Sequence, residues 1–152
     1  MYKLEKIAQV IVLIAFVLLL VKACTSQLFG SVDVYKVIEA IEIVESNGNP
    51  NAINESENAF GALQIREIMI DDYNRITNQN FPHDIAYNRA FAYIVAQEIF
   101  SHYMKGIENP TAKHLAFIWN GGGSAWKRVD NPKNDQKQKN LDRYWEKVRL
   151  HL

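Results

Sequence analysis

Apolar residues are unevenly spread along the 152-residue chain, and the densest run lies near the N-terminus. Residues 7–21 read IAQVIVLIAFVLLLV, in which Gln9 is the only polar member. Lys3 and Lys6 precede this run, so a positively charged start is followed by a short apolar stretch, as in a secretory signal. The run is on the short side for a bilayer span, which requires about 20 residues.

The only cysteine, Cys24, follows this run in the order Leu20-Val21-Lys22-Ala23-Cys24. This order resembles the lipobox of bacterial lipoproteins, in which an aliphatic and two small residues precede the cysteine that takes the lipid. Lys22 departs from that pattern. The alternatives are an uncleaved N-terminal anchor helix with an incidental cysteine, or simple cleaved export. The lipoprotein, the anchor helix and simple export all predict that the chain after residues 1–24 lies outside the cytoplasm. The lipoprotein and the anchor helix also attach it to a membrane.

Beyond a short tether at residues 25–32, the spacing of apolar residues becomes helical. We expect Asp33 to be the N-cap of the first helix, which ends at Asn47-Gly48-Asn49-Pro50. The further predicted helices run from Gly61 to about Ile76, from an Asp84 cap to Met104, from a Thr111 cap to Trp119, and through residues 141–148. The predicted loops cover residues 49–59, 78–82 and 127–139. Residues 33–152 therefore predict a single, mostly α domain.

Charge and residue spacing exclude several kinds of site. The chain has 17 basic and 17 acidic residues, and removing the three lysines and one glutamate of residues 1–24 leaves a net charge of −2. A weakly acidic domain without a basic stripe argues against nucleic acid as a partner. The four histidines show no metal-ligand spacing, and the glycines 121–123 lack the Lys-Ser/Thr of a phosphate loop. We therefore expect neither a metal nor a cofactor.

Glu45 is the strongest candidate for a chemical role. The first predicted helix places Ile38, Ile41 and Glu45 on one face, so the carboxyl belongs to the apolar side. It also lies in the last helical turn, near unpaired carbonyls. Both burial and the negative end of the helix disfavour the ionised carboxylate. A carboxyl that stays protonated near neutral pH suits the general acid of glycosidic cleavage.

Four blocks of sequence resemble, in the same order, the signature of lytic transglycosylases and goose-type lysozymes. The blocks are Glu45-Ser46-x-Gly48-Asn49-Pro50-x-Ala52, Gly61-Ala62-Leu63-Gln64-Ile65, Ala116-Phe117-Ile118-Trp119-Asn120-Gly121-Gly122 and Tyr144-Trp145-x-Lys147-Val148. The resemblance spans roughly residues 33–149. It implies a lysozyme-like α fold with a groove for the peptidoglycan glycan strand of alternating N-acetylglucosamine and N-acetylmuramic acid.

The resemblance also implies a mechanism. In the transglycosylase branch one glutamate, here Glu45, acts first as acid and then as base. The 6-hydroxyl of the muramic acid attacks, which gives a 1,6-anhydro end instead of a hydrolysed one. This mechanism requires no second catalytic carboxylate.

The same resemblance supplies candidate substrate-binding residues. They are Ser46, Asn54, Gln64, Trp119, Asn120 and Tyr144. Gln64 is expected to hydrogen-bond an N-acetyl or hydroxyl group, or alternatively to cap the backbone. Asn120 is expected to orient the sugar or the glutamate, or alternatively to be a helix-terminal asparagine before glycine. Trp119 replaces the family's usual tyrosine and cannot supply a phenolic hydroxyl. Gly61 is expected to let the backbone approach the sugar.

Two other functions remain open from the sequence. A hydrolytic lysozyme is favoured by Glu55, which falls near the second acidic position of goose-type lysozymes when counted back from Gly61. A wall-binding or assembly module without catalysis would have no use for an acid on an apolar helix face, so Glu45 argues against it. Asn140 stands where many relatives have glutamate and cannot act as an acid. A small anchored enzyme of this kind could open gaps in the wall for a secretion, conjugation or phage apparatus.

Overall fold

The computed structural model describes residues 32–152. The N-terminal apolar run, Cys24 and the tether up to residue 31 lie outside the described residues. The segment Asp33–Leu152 forms one unit. Within residues 32–152, each helix is too short or too polar to cross a membrane.

Helices dominate the described part of the chain, as the apolar spacing predicts. The helices are α1 Val34–Ser46, α2 Glu67–Thr77, α3 Arg89–Met104, α4 Ala112–Gly121, α5 Lys127–Asp130 and α6 Gln136–Val148, with 3-10 turns at His83–Tyr87 and Arg149–His151. The strands are β1 Ile53–Asn54, β2 Ala59–Phe60 and β3 Ile65–Arg66. They form a small antiparallel sheet in the order β1-β2-β3.

Helix α1 begins and ends where the sequence predicts. The Asp33 side chain accepts a hydrogen bond from the backbone N–H of Lys36 at 3.2 Å, and so caps the first turn. Asn47 takes a left-handed conformation with φ 54°, which ends the helix. Ile38 and Ile41 are fully buried, and the helix packs against α3, α4 and α6. The last turn of α1 is therefore held in the middle of the fold.

The segment predicted to be helical from Gly61 is instead a hairpin up to Arg66, and α2 begins only at Glu67. Phe60 pairs with Ile53 on one side and with Ile65 on the other. Gly61 and Gln64 have positive φ values of 75° and 49°, which no right-handed helix allows. The predicted polar loop before Gly61 contains β1 and the start of β2.

The long third helix begins four residues later than predicted. Asp84 lies in the 3-10 turn, and the cap of α3 is Asn88, whose side chain accepts from the N–H of Phe91 at 3.1 Å. Thr111 caps α4 as predicted, and its N–H donates to Nδ1 of His114 at 3.1 Å to complete a capping box.

The segment at residues 127–139, predicted to be a loop, contains α5 and the first turn of α6. Asp135 caps α6 by accepting from the N–H of Gln138 at 2.8 Å. The same carboxylate pairs with Arg128 at 2.8 Å, which ties the end of α5 to the start of α6. This ion pair was not predicted from the sequence.

Helix α4 runs through the core, and all residues from His114 to Trp119 are buried. It packs against α6 and α1. Its C-terminal end at Asn120 is exposed, so the helix delivers Trp119 and Asn120 from the core to the surface beside α1.

Candidate active site

Glu45 lies at the wall of a cavity of about 250 Å³ where three parts of the chain meet. These parts are the last turn of α1, the hairpin with the start of α2, and the end of α4. The lining residues are Glu45, Glu57, Gln64, Arg66, Met69, Trp119 and Asn120. This space is called the Glu45 cavity below.

A second space of about 400 Å³, called the adjoining groove below, continues from the Glu45 cavity along α2. The two share Arg66, Met69 and Trp119 in their linings, so they form one continuous cleft. Further along, the groove is lined by Asp72 and Tyr103, and the Tyr103 hydroxyl donates to Oδ2 of Asp72 at 2.8 Å.

The triple glycine after α4 helps to close the groove over Tyr103. A Cβ on Gly123 would lie 2.0 Å from Cζ of Tyr103, so the aromatic ring packs directly on the glycine backbone. Gly123 is therefore needed for this packing against Tyr103, and it also belongs to the glycine run that ends the helix.

The carboxyl of Glu45 is in an environment that favours its protonated form. Burial is the largest cause that raises the pKa of Glu45, and the negative charge of Glu57 raises it further. A hydrogen bond from Tyr144 and the positive charges of Arg66 and Lys147 lower the pKa, but the raising effects prevail. A raised carboxyl pKa is what the position of Glu45 on an apolar helix face predicts.

Tyr144, from α6, is the direct partner of this carboxyl. Its hydroxyl donates to Oε1 of Glu45 at 2.7 Å, and its side chain is buried. Burial and the neighbouring Glu45 raise the pKa of Tyr144 well above its ordinary value, so the phenol stays a donor. The phenolic hydroxyl that Trp119 cannot supply is thus provided by Tyr144. The structure places Tyr144 against the acid, whereas the resemblance implied only a contact with substrate.

Trp119 and Asn120 reach the cleft as the resemblance implied. Trp119 is 3% exposed, and its ring meets the ring of Phe100 edge-on with 5.8 Å between centroids. Asn120 is exposed and lines the Glu45 cavity. Trp119 is therefore a rigid wall of the cleft, and the side-chain amide of Asn120 is free to face a sugar.

Gln64 makes the backbone hydrogen bonds that were one of its two expected roles, and its contact with a sugar stays a prediction. Its Nε2 donates to the carbonyl of Gly61 at 2.9 Å and to that of Ala52 at 3.2 Å. The side chain also lines the Glu45 cavity. Gln64 braces the hairpin, and this bracing fixes the position of its amide in the cavity.

Ser46 and Asn54 belong to the framework around the site and are not among the lining residues of the Glu45 cavity. The Ser46 hydroxyl donates to the carbonyl of Ala62 at 2.7 Å, which fastens the end of α1 to the hairpin. The side chain of Asn54 accepts from the hydroxyl of Ser56 at 2.7 Å. In this structure the contacts of both side chains are with the protein.

The acidic residue of the hairpin that lines the Glu45 cavity is Glu57, whereas Glu55 is not among the lining residues. The sequence did not single out Glu57, and it also missed Arg66 and Met69. Glu57 carried one signal, since it is the second acid of the same polar loop. Both acids lie in the turn between β1 and β2, so the conformation of this turn decides which of them borders the cavity.

Gly61 has a packing role besides the one expected. A Cβ at this residue would lie 2.1 Å from the carbonyl oxygen of Ala86, and the backbone φ is 75°. The glycine is therefore required for close packing of the hairpin on the 3-10 turn, and the expectation that the backbone here admits a sugar stays a prediction.

Within residues 32–152, no group of three or more His, Cys, Asp or Glu side chains is arranged to hold a metal ion. The position and raised pKa of Glu45 suit proton transfer, with Tyr144 and the charges around the carboxyl setting its pKa.

A family model described as the transglycosylase SLT domain matches residues 32–141. Neither curated proteins nor solved structures gave a match. The matched range covers more than half of the chain and contains Glu45, the hairpin and the end of α4. It implies cleavage of glycosidic bonds with peptidoglycan as substrate. The chain belongs to the transglycosylase SLT domain family.

Proposed function

We propose that this protein is a peptidoglycan lytic transglycosylase. It cleaves the β-1,4 bond between N-acetylmuramic acid and N-acetylglucosamine and leaves a 1,6-anhydro end. The observation that carries this proposal is the Glu45 carboxyl, which lines a cavity, has a raised pKa and accepts a hydrogen bond from Tyr144 at 2.7 Å.

In the first half of the reaction Glu45 is protonated and donates its proton to the glycosidic oxygen. The bond between C1 of the muramic acid and this oxygen breaks, and N-acetylglucosamine leaves with the proton. Tyr144 donates its hydrogen bond to Oε1 of Glu45. No side chain within residues 32–152 donates a hydrogen bond to Oε2. Oε2 is therefore the oxygen that faces the glycan.

In the second half Glu45 is ionised and acts as the base. It takes the proton of the muramic acid 6-hydroxyl while O6 forms a bond to C1, so the proton lost at the start is recovered. Tyr144 stabilises the ionised intermediate state, because a hydroxyl that donates to a carboxylate favours its charge. No water enters the product.

The cleft suits an extended polymer. The Glu45 cavity and the adjoining groove are continuous, which gives room for sugars on a neighbouring subsite. Trp119 supplies a rigid apolar wall, and Asn120 and Gln64 supply amides for N-acetyl and hydroxyl groups. This mixture of aromatic and amide groups is typical of carbohydrate sites.

The test is mass analysis of the sugar ends released from purified wall. Transglycosylation gives 1,6-anhydro ends, which are one water molecule lighter than the reducing ends from hydrolysis. Reducing ends as the main product would overturn the proposal.

A hydrolytic lysozyme is the second candidate, and the observation that favours it is Glu57 in the Glu45 cavity. A second carboxylate beside the acid could hold and activate a water molecule. The exposure of Glu57 ranks this function second, because an exposed side chain on a hairpin turn holds a water poorly.

A wall-binding module without catalysis is the candidate of another class, and wild-type protein that binds wall without releasing any fragment would establish it.

The sequence further supports a place outside the cytoplasm, on a membrane, where wall glycan is accessible. We propose that Cys24 carries a lipid, and that the enzyme opens wall for a secretion, conjugation or phage apparatus. Replacement Cys24→Ser should abolish lipid labelling. If the unmodified protein takes no label, an anchor helix replaces the lipid in this proposal.

A further inference from the structure

Arg66 occupies the point where the Glu45 cavity opens into the adjoining groove. It lines both spaces, together with Met69 and Trp119. Its backbone is fixed by pairing of β3 with β2, where Arg66 stands opposite Ala59. Ile65 is fully buried, and successive residues of a strand point to opposite faces, so Arg66 points into the cleft.

The guanidinium of Arg66 lacks a protein partner in the described part of the chain. Residues 32–152 contain six arginines, and four of them form ion pairs. The four pairs are Arg75 with Asp72, Arg89 with Glu42, Arg128 with Asp135, and Arg149 with Glu146. Arg66 is partly buried and makes no hydrogen bond or ion pair within residues 32–152, whereas Arg143, also unpaired there, is exposed on α6. Since no buried side-chain nitrogen of the described residues lacks a partner, the unpaired nitrogens of Arg66 are open to the cleft, and the guanidinium is available to a ligand there.

The acidic side chains near Arg66 do not form an ion pair with its guanidinium. Glu45 and Glu57 line the same cavity, but neither forms an ion pair with Arg66. In the adjoining groove Asp72 is engaged by Arg75 at 2.5 Å, and Asp71 is exposed. The charge of Arg66 nevertheless lowers the pKa of Glu45, so it stands close to the reacting carboxyl.

We propose that Arg66 binds a carboxylate on the side branch of the muramic acid, and so sets the register of the glycan in the cleft. This inference rests on the proposed function. Each muramic acid carries a lactyl ether at C3. The ether ends in a carboxylate where the peptide has been removed, and it leads to the peptide's carboxylates where the peptide remains. N-acetylglucosamine has no carboxylate, so a single guanidinium distinguishes the two alternating sugars.

The planar guanidinium suits this ligand because it donates two parallel hydrogen bonds to one carboxylate. A muramic acid held at Arg66 lies next to Glu45, which is where its 6-hydroxyl must be for the attack. Arg66 therefore acts as a specificity-determining residue: it selects which of the two kinds of glycosidic bond reaches the acid.

The test measures binding with three probes on the full chain carrying Glu45→Gln, so that no probe is consumed. The probes are peptide-free wall oligosaccharides with a free lactyl carboxylate, the same oligosaccharides with peptides attached, and chitohexaose, which has no carboxylate. Arg66→Gln should weaken binding of a carboxylate-bearing probe by about tenfold to a hundredfold, the range for a hydrogen bond to a charged group. Binding of chitohexaose should not change.

The pattern of losses identifies the carboxylate. A loss on the peptide-free probe assigns Arg66 to the lactyl carboxylate, and a loss confined to the peptide-bearing probe assigns it to the peptide. Equal losses on chitohexaose, or no loss on any probe, would overturn the inference. Arg143→Gln is the matched control and should leave all three affinities unchanged. Arg66→Lys keeps the charge but not the two parallel N–H donors of the guanidinium, so it should give an intermediate loss of affinity. This variant guards against a folding defect as the cause.

A parallel kinetic measurement separates this inference from the proposed function. With Glu45 intact, Arg66→Gln should raise KM for wall glycan more than it lowers kcat. If the wild-type protein releases no anhydro ends, the proposed function itself fails. If it releases them and KM is the same in Arg66→Gln, the role of Arg66 alone is overturned.

Discussion

The hydroxyl of Tyr144 donates a 2.7 Å hydrogen bond to Oε1 of Glu45, which joins α6 to the last turn of α1. This bond lowers the pKa of Glu45, while burial and Glu57 raise it, and the net result is a raised pKa. Tyr144 thus keeps the acid from becoming too weak to release its proton and supports the carboxylate once the proton has left.

Replacement Tyr144→Phe should move the alkaline limb of the pH–activity profile to higher pH. Loss of the donated bond raises the pKa of Glu45 further, and activity that needs the protonated acid is lost only as pH rises through that pKa. We expect about a tenfold loss of turnover near neutral pH, the value of one hydrogen bond. Tyr35→Phe, at an exposed tyrosine of α1, is the control. A limb displaced to lower pH would contradict the assigned role.

Replacement Glu45→Gln should reduce wall lysis by about 10²–10⁴-fold, the usual contribution of a general acid–base group. Glu39→Gln, at an exposed glutamate of the same helix, should leave activity unchanged. The measurement is the rate of fragment release from purified wall. Near-full activity in Glu45→Gln would remove Glu45 from the mechanism.

The same variant should change stability in a direction that depends on pH. The pKa of Glu45 is raised in the folded protein, so stability is lost as pH rises from the ordinary carboxyl pKa through the folded one. Glutamine carries no charge to bury. Its melting temperature should therefore exceed that of the wild type near neutral pH, and the two should converge in acid. A variant that melts lower than the wild type near neutral pH would speak against a destabilised, buried Glu45 carboxylate.

Glu55 and Glu57, the two acids of the hairpin, should differ in their effect on the pKa of Glu45. Because the charge of Glu57 raises the pKa of Glu45, Glu57→Gln should move the alkaline limb to lower pH, and Glu55→Gln should not. Both should cost less than tenfold in rate, under about 1.4 kcal/mol of barrier, and leave anhydro ends as the product. A large loss at either residue together with reducing ends would favour hydrolysis.

Arg89 stabilises the carboxylate of Glu42, a residue of α1 that takes no part in the proposed chemistry. It contacts both oxygens of the buried Glu42 at 2.7 and 2.8 Å, and the hydroxyl of Tyr93 also donates to this carboxylate. Arg89→Gln should lower the free energy of unfolding by about 2 kcal/mol, since a buried charge loses its main partner. Arg75→Gln, which breaks an exposed pair, should cost under about 1 kcal/mol in the same urea titration.

The effect of Arg89 should also fade in acid. Its hydrogen bonds lower the pKa of Glu42 below the ordinary carboxyl value. The stabilisation is therefore present above the ordinary pKa and is lost as pH falls through the lowered one. A stability difference between the wild type and Arg89→Gln that stays constant into strong acid would contradict this account.

Gly61→Ala should destabilise the hairpin strongly. The new Cβ would lie 2.1 Å from the carbonyl oxygen of Ala86, and the φ of 75° is strained for alanine. Gly122 is the matched control, because its φ is 86° but nothing lies within 4 Å of an added Cβ. Gly122→Ala should cost about 1 kcal/mol for the backbone alone, and Gly61→Ala at least about 2 kcal/mol in addition for the clash. Equal costs in thermal melts would show that the contact with Ala86 relaxes freely.

Local sequence signals were enough to predict the elements whose causes are local. The cap of α1 joins Asp33 to Lys36 within one turn, and the stop at Asn47 acts on its own backbone. The apolar spacing placed Ile38, Ile41 and Glu45 on one face without reference to any other part of the chain. The order of the motif blocks was not needed for that step, and the family match over residues 32–141 confirms the resemblance carried by the three blocks within that range.

Which residues meet at the site depends on packing between distant segments of the chain. Tyr144 and Glu45 are 99 residues apart, so their hydrogen bond depends on how α6 packs against α1. The two-residue strands are too short to show an alternating pattern. Their pairing brings Arg66 to the cleft, and the turn between β1 and β2 brings Glu57 there. Local spacing constrains one turn of chain at a time, whereas the pKa of Glu45 and the position of Arg66 arise from packing between distant segments.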